Sequence, residues 1–198
     1  MSTFYDNIFD KEIFLIRHPK TVAGNSYCYG ASDVAVDDKI LEETAKKVKA
    51  KLEGLKADIC YSSPLIRAHS LAKCLFPEQE IVLEDKIREV DFGDWEGVSW
   101  EEIPIDAQKR WGDDVLNFKE HGGENFNDLK ARVVPFWEEI LHNDKEKTVV
   151  VAHAGVIVAT LSHLLQANPS KVFMLDISFG SVVRIQIKGG TYFKIKIL

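Results

Sequence analysis

Arg17 and His18 close one short apolar run, Ile13 to Arg17, and His153 closes another, Thr148 to Ala152. Arg67 lies just past a third, Ala57 to Tyr61, within Tyr61-Ser62-Ser63-Pro64-Leu65-Ile66-Arg67-Ala68. A neutral imidazole is a competent nucleophile near pH 7, because its free pKa is about 6.5. Arginine presents a planar fork of donors that matches phosphate oxygens, and its charge offsets charge spread over a transferring phosphoryl group. The combination points to phosphoryl chemistry, which is mostly positioning plus charge stabilisation. Such a reaction also needs an acid for the leaving alkoxide. Glu89, Asp91 and Asp94 share one acidic stretch, Arg88 to Gly97. The residues alone do not choose among these three, nor between His18 and His153 as nucleophile. A metal site built from His18, His153 and Glu89 lacks HExxH-type spacing, and the nearby arginines repel a cation. Neither a metal nor another cofactor is expected.

Residues this far apart converge only if strand ends bring them together, and in open α/β sheets ligands gather beyond the carboxyl ends of the strands. The three apolar runs read as buried strands. Leu41, Ala45, Val48, Leu52 and Leu55 recur at helical spacing, with Lys46, Lys47, Lys49 and Lys51 on the wet face and Gly54 near the end. Ser63 is expected to cap a helix running to Leu75, with Pro64 in its first turn. Glu80 to Leu83 reads as a short strand. Phe126, Leu129, Val133, Phe136 and Ile140 mark a helix, bent or interrupted near Pro135. A last helix runs from Ala154 to Gln166, and its free N–H groups favour a phosphate at its start. Val183, Ile185 and Ile187 alternate with polar residues, as do Phe193, Ile195 and Ile197 after Gly189-Gly190, which is a hairpin pattern.

Strands separated by helices and closed by a hairpin predict an α/β protein: three α/β/α layers, a mostly parallel central sheet and an antiparallel edge. The segment from about 98 to 125 is the least regular and reads as a cap or lid. Asp106, Trp111 and His121 lie in it and are candidates, by position, for a leaving-group pocket. His69, His142 and His163 read as structural or solvated. The alternating lysines of the hairpin suit either a solvated edge or pairing between subunits, so oligomeric state is not legible.

The chain has 198 residues, a length suited to one domain, 1–198. Its net charge of −6 speaks against nucleic acid or a membrane surface as partner. It does not speak against one small phosphate ester held by two arginines. No run approaches the roughly 18 apolar residues of a membrane span. The start, MSTFYDNIFDKE, lacks the basic and apolar regions of a secretory signal. Cys28, Cys60 and Cys74 are an odd number without a CxxC pair, which suits a reducing cytoplasm.

Five segments occur together: LIRHPKT at 15–21, YSSPLIRA at 61–68, REVDFGDWEG at 88–97, GGEN at 122–125 and VVVAHAG at 149–155. In this order and at these separations the chain resembles the histidine phosphatase, or phosphoglycerate mutase-like, family over nearly its whole length. The resemblance implies that fold and a phosphomonoesterase working through a phosphohistidine. It implies that His18 is the nucleophile, that Arg17, Arg67 and His153 hold the phosphoryl group, and that Glu89 is the general acid. By the same resemblance Asn25, Tyr29 and Ala154 join Arg17 and Arg67 in substrate binding. Several positions depart from the family pattern. Pro19 and Lys20 stand for glycine and glutamate, Gly24 precedes an asparagine displaced to Asn25, Asn125 replaces a serine, and Ala154 replaces a glycine. Arg17-His18-Pro19 with Cys28-Tyr29-Gly30 and Asp33 resembles the α-ribazole phosphatase branch, acting in cobalamin synthesis. The compact length favours a phosphatase. The alternatives are a mutase-type phosphoryl transferase or sugar-bisphosphate phosphatase and, outside catalysis, a phosphate-ester binding module.

Overall fold

A computed structural model describes residues 10–189 and 191–198. The leader reading of the first residues falls mostly on 1–9, outside the described residues, as does Gly190 of the hairpin turn. Six strands form one sheet: β1 (Lys11–Arg17), β2 (Ile59–Ser62), β3 (Ile81–Leu83), β4 (Lys147–Ala152), β5 (Val182–Lys188) and β6 (Tyr192–Ile197). Their order is β3-β2-β4-β1-β5-β6. The first four run parallel, while β5 is antiparallel to β1 and β6 to β5. The expected sheet, mostly parallel with a hairpin at one edge, is the one observed.

The central strands are apolar throughout because both faces are covered. Ile13 and Leu15 point with Val150 and Ala152 into one core, packed by Leu129, Val133, Phe136, Trp137 and Ile140 of α4 (Phe126–His142) and by Val156 to Leu161 of α5 (Ala154–Leu164). Phe14 and Ile16 point with Val149 and Val151 into the other. There they meet Ala45, Val48 and Leu52 of α1 (Asp38–Leu52) and Ala68, Leu71 and Ala72 of α2 (Ile66–Leu75). The period of two along each strand thus sorts one sequence into two cores.

Two local expectations change. Ser63 does not cap α2. Strand pairing extends past Ser62, with Ser63 N donating to Val151 O at 3.0 Å, so Ser63 still belongs to the sheet. The helix begins at Ile66, two residues later than a Ser63 cap would start it, and Asp33, from a distant loop, accepts from Ile66 N at 2.6 Å. That contact places a carboxylate at the helix N-terminus, where the dipole favours it. Pro135 does not interrupt α4, which runs unbroken with Val133, Phe136 and Trp137 buried around the proline. The segment 98–125, read as the least regular, is organised by a helix and a small core of its own. It contains α3 (Ile105–Asp113), and Ile103 and Phe118 form a third core with Cys28 and Trp95, flanked by Phe92, Trp100 and Trp111.

Asn125 caps α4 in a reciprocal box. Its side chain accepts from Asp128 N, and Asp128 accepts from Asn125 N, both at 3.0 Å. Asparagine caps as well as serine does, so this departure from the family pattern is locally neutral.

Ile140 is fully buried between α4 and the sheet. Ile140→Ala should therefore cost about 2–5 kcal/mol of unfolding free energy in urea titration. A loss below 0.5 kcal/mol, on the order of an ordinary surface change, would contradict the packing described.

Candidate active site

Strand register brings the predicted residues to one place. β4 lies between β1 and β2. His18 N donates to Ala152 O at 3.0 Å, so the two histidine-bearing strand ends are level. The His18 and His153 rings stand 5.0 Å apart, centroid to centroid. Nδ1 of His18 lies 2.6 Å from the Pro19 carbonyl. A carbonyl only accepts, so Nδ1 carries the proton and Nε2 presents its lone pair. Any residue at position 19 supplies that carbonyl, which is why proline is tolerated there.

Arg67 is fully buried at the first turn of α2. Its Nη1 donates to Ser32 O at 2.7 Å and its Nη2 to Gly30 O, while the guanidinium lies over the Tyr29 ring. Arg17 donates from Nη1 to Ile177 O at 2.6 Å and lies 4.0 Å from the Phe179 ring centroid. His153 Nε2 is 2.8 Å from Ser63 Oγ. After these contacts, Arg17 Nε, Arg67 Nε and His153 Nδ1 are buried and find no hydrogen-bond partner among the described residues. Buried polar groups are nearly always satisfied. Three others, His121 Nε2, Trp137 Nε1 and Thr148 Oγ1, are unpartnered elsewhere among the described residues, but the side chains of Arg17, Arg67 and His153 all lie near His18, and that grouping suits an anion.

Burial is the main force holding both imidazoles well below the ordinary histidine value. The arginine charges add to it at His18, and His18 and the arginines add to it at His153. Both rings are neutral at pH 7. Burial also lowers the arginines, partly offset by the Glu89 carboxylate, which faces both; guanidinium groups stay charged regardless.

Of the three acids, Glu89 is the one at the site. Its carboxylate accepts from Gly155 N at 3.1 Å and from Val90 N at 3.0 Å. A Cβ on Gly155 would lie 2.3 Å from Glu89 Oε1, so glycine is required there. Ala154, one residue earlier, meets no such limit and lines the cavity beside Glu89. Asp91 is tied into its own turn, accepting from Gly93 N at 2.8 Å. Asp94 faces His121 and Gly122 rather than the cavity.

The other expectations divide. Tyr29 lines the cavity and accepts from Thr21 Oγ1 at 2.8 Å. Asn25 is exposed and shares a neighbouring cleft with Arg17 and Ala154. Trp111 reaches the cavity wall, but Asp106 and His121 do not. Asp106 pairs on the surface with Arg110 at 2.8 Å. His121 is buried among Phe92, Trp95 and Phe118, with its Nδ1 accepting from Gly123 N.

Sequence reasoning missed Glu96. Its carboxylate accepts from the N–H groups of Gly30, Ala31, Ser32 and Phe92 at 2.9–3.1 Å. These bonds hold its pKa down against the effect of burial. The same 30–32 loop turns its carbonyls to Arg67. One carboxylate therefore fixes the acceptors that aim the guanidinium. The only sequence signal was its place in the 88–97 segment. Ser63, Ile177 and Phe179 were missed too, because each acts through a contact far away in sequence.

A family model described as "Histidine phosphatase superfamily (branch 1)" matches residues 13–197. The chain is 28% identical over 158 residues to the "Probable 2-carboxy-D-arabinitol-1-phosphatase" of Arabidopsis thaliana, covering 77% of this chain and 33% of that one. It thus spans about a third of that relative's length. A 2,3-bisphosphoglycerate-dependent phosphoglycerate mutase of Beijerinckia indica is 27% identical over 188 residues, covering 86% of this chain and 89% of the other. Length alone therefore does not separate phosphatase from mutase. The solved α-ribazole phosphatase of Shigella flexneri superposes with a TM-score of 0.83 at 22% identity, covering 94% of this chain and 95% of the other.

Two outcomes follow from the geometry. Unfolded histidines take up protons as pH falls through about 6.5, and His18 and His153 resist doing so when folded. Their stability contribution is complete above that pH and lost below it, at up to about 1.4 kcal/mol per pH unit for each. Urea unfolding between pH 7.5 and 5.5 should show this loss, and it should be shallower in the double variant His18→Gln, His153→Gln; equal slopes would refute the neutral-histidine reading. Glu96→Gln should weaken inhibition by orthovanadate about tenfold or more, since hydrogen bonds to a charged group are worth about 1.5–3 kcal/mol. Loss of thermal stability with vanadate affinity intact would reduce Glu96 to a structural residue.

Proposed function

Because the chain belongs to the histidine phosphatase superfamily, branch 1, we propose that it hydrolyses a small phosphate monoester through a phosphohistidine at His18. The observation that carries this reading is the set of three buried donors without partners, Arg17 Nε, Arg67 Nε and His153 Nδ1, gathered about His18. They take the non-bridging oxygens of the phosphoryl group, and the arginine charge meets the negative charge spread over them in transfer. Ser63 Oγ accepts from Leu65 N at 3.3 Å and lies 2.8 Å from His153 Nε2; in this reading its hydroxyl proton goes to Nε2, so that the ring proton sits on Nδ1, toward the phosphoryl group.

His18 Nε2 attacks phosphorus, and the bond from phosphorus to the alcohol oxygen breaks. Glu89 in its protonated form gives that oxygen a proton as it leaves. The resulting carboxylate then accepts a proton from water as the water oxygen attacks the phosphohistidine. The nitrogen–phosphorus bond breaks, inorganic phosphate departs, and His18 and Glu89 return to their starting forms. Neutral His18 suits the first step, since a protonated ring has no lone pair at Nε2. Hydrogen bonds from Gly155 N and Val90 N orient the Glu89 carboxylate toward the leaving oxygen.

For the natural ester, the Arg17-His18-Pro19 and Cys28-Tyr29-Gly30 segments support α-ribazole 5′-phosphate, a reading under which the chain would act in cobalamin synthesis. Asp33 drops out of that argument, because it serves the start of α2. A phosphoglycerate mutase reading shares the phosphohistidine and replaces water with a second hydroxyl, and the Beijerinckia relative carries that name. A pure binding module would not need the Glu89 carboxylate lodged against Gly155. The three free cysteines suit a reducing cytoplasm; burial pushes the thiols of Cys28 and Cys60 up to about 12, so neither is a nucleophile.

Rapid quenching of the wild type, mixed with a ³²P-labelled monoester, into alkaline detergent should capture an alkali-stable, acid-labile phosphoenzyme. His18→Ala should stay folded, carry no label and lose at least about 10³-fold in kcat on p-nitrophenyl phosphate, the scale seen when a nucleophile is removed. Undiminished turnover in His18→Ala would end the proposal. Label passing to 3-phosphoglycerate in preference to water would favour the mutase reading.

A further inference from the structure

Beside Glu89 lies a cavity of about 190 Å³. Its walls include Phe92, Trp111, Val115, Phe126, Leu129 and Phe173. Trp111 comes from α3, and Phe173 follows α6 (Pro169–Val172) and stands half exposed. Phe92 meets Trp111 edge to face at 6.0 Å, and Phe126 meets Phe173 likewise at 5.3 Å, so two aromatic pairs line the slot.

The polar groups are few and mostly occupied. Glu124 is held by Arg132 through two contacts, at 2.8 and 2.7 Å, and accepts from Asp91 N. Asn125 spends its side chain on Asp128 N and on Asn117 O. Glu89, facing the phosphoryl site, and the Tyr29 hydroxyl, which accepts from Thr21 Oγ1, remain. No lysine, arginine or histidine is among the described residues lining the cavity. A second phosphate or a carboxylate entering here would lose water, meet two carboxylates and find no cation. An apolar ring meets the opposite conditions, and a cavity of roughly 150 Å³ with apolar walls accommodates benzene.

We propose that this slot selects monophosphates whose leaving alcohol is uncharged and carries an aromatic or comparably apolar group, with Trp111 and Phe173 setting the preference. The proposal rests on the phosphatase reading above and narrows its substrate class. It sets this chain apart from a site for bisphosphoglycerate, whose distal anion needs a cation that this wall does not supply.

The test compares 2-phenylethyl phosphate, ethyl phosphate and 3-phosphoglycerate. The first two have similar alcohols at the reacting oxygen, so their ratio reads the slot rather than the chemistry. The expected kcat/KM for 2-phenylethyl phosphate exceeds that for ethyl phosphate by about tenfold or more, as burial of a ring predicts, and exceeds that for 3-phosphoglycerate by at least as much. Trp111→Ala and, separately, Phe173→Ala should shrink the ratio of the first two esters several-fold. Phe173 is half exposed, so its variant keeps the test open if Trp111→Ala fails to fold. Calorimetric binding of the same esters to His18→Ala reads the slot without turnover. Equal affinities there, or a preference for 3-phosphoglycerate, would overturn the slot even with hydrolysis intact. No turnover of any ester by the wild type, with the binding preference present, would instead overturn the phosphatase reading and keep the slot.

Discussion

A guanidinium group buried without a carboxylate bonded to it is the constraint around which this molecule is arranged. Arg67 has no exposure, and its direct partners are the carbonyls of Gly30 and Ser32. Taking such a charge out of water is costly unless dipoles and nearby opposite charge replace the solvent. The 30–32 loop supplies the dipoles. It is held in that posture because Glu96 gathers its N–H groups from the other side. A negative charge thus acts on Arg67 through a turn of backbone, and the Nε is left for an anion.

The same economy governs the rest of the site. Arg17 is steadied by the Ile177 carbonyl and the face of Phe179, contributed by the segment leading into β5. His18 and His153 are kept neutral by burial and by the arginines around them, and the proposed reaction uses one to attack phosphorus and the other to donate a hydrogen bond. Glu89 is seated by backbone N–H groups, one of them at the start of α5. In the proposed reaction the positive charge is permanent, while the nucleophile is a ring that its surroundings keep neutral. Away from the phosphoryl group the environment changes abruptly from buried charge to aromatic wall. This boundary lets one end of a substrate be recognised by charge and the other by the absence of it.

Much of this was legible in the sequence where the governing physics is local. The apolar runs at 13–17 and 148–152 read as buried strands because both faces of the sheet are covered, and the alternation after Val183 read as a hairpin. The helical spacing read from Leu41 to Leu55 held as far as Leu52, where α1 ends; Leu55 lies past the helix but packs against the same core. Ser63 and Pro135 were misread because local preference yielded to tertiary contacts. The sheet kept Ser63 and gave it to His153, and packing against the core carried α4 past its proline. Asp106 and His121 were placed by position alone, and the fold sends one to the surface and the other into an aromatic core.

By itself the sequence pointed to phosphoryl chemistry, since histidines and an arginine at strand ends, a second arginine just past one and an acidic stretch are the side chains that such chemistry uses. It also determined the layered fold, because periodicity dictates which faces must be buried. Only the tertiary structure decided which acid stands at the site, which nitrogen of His18 is free, and what aims Arg67. Those depend on contacts between segments tens of residues apart, such as Glu89 with Gly155 and Glu96 with Gly30. No local pattern encodes such distances, because they are set by how the two cores close around the sheet.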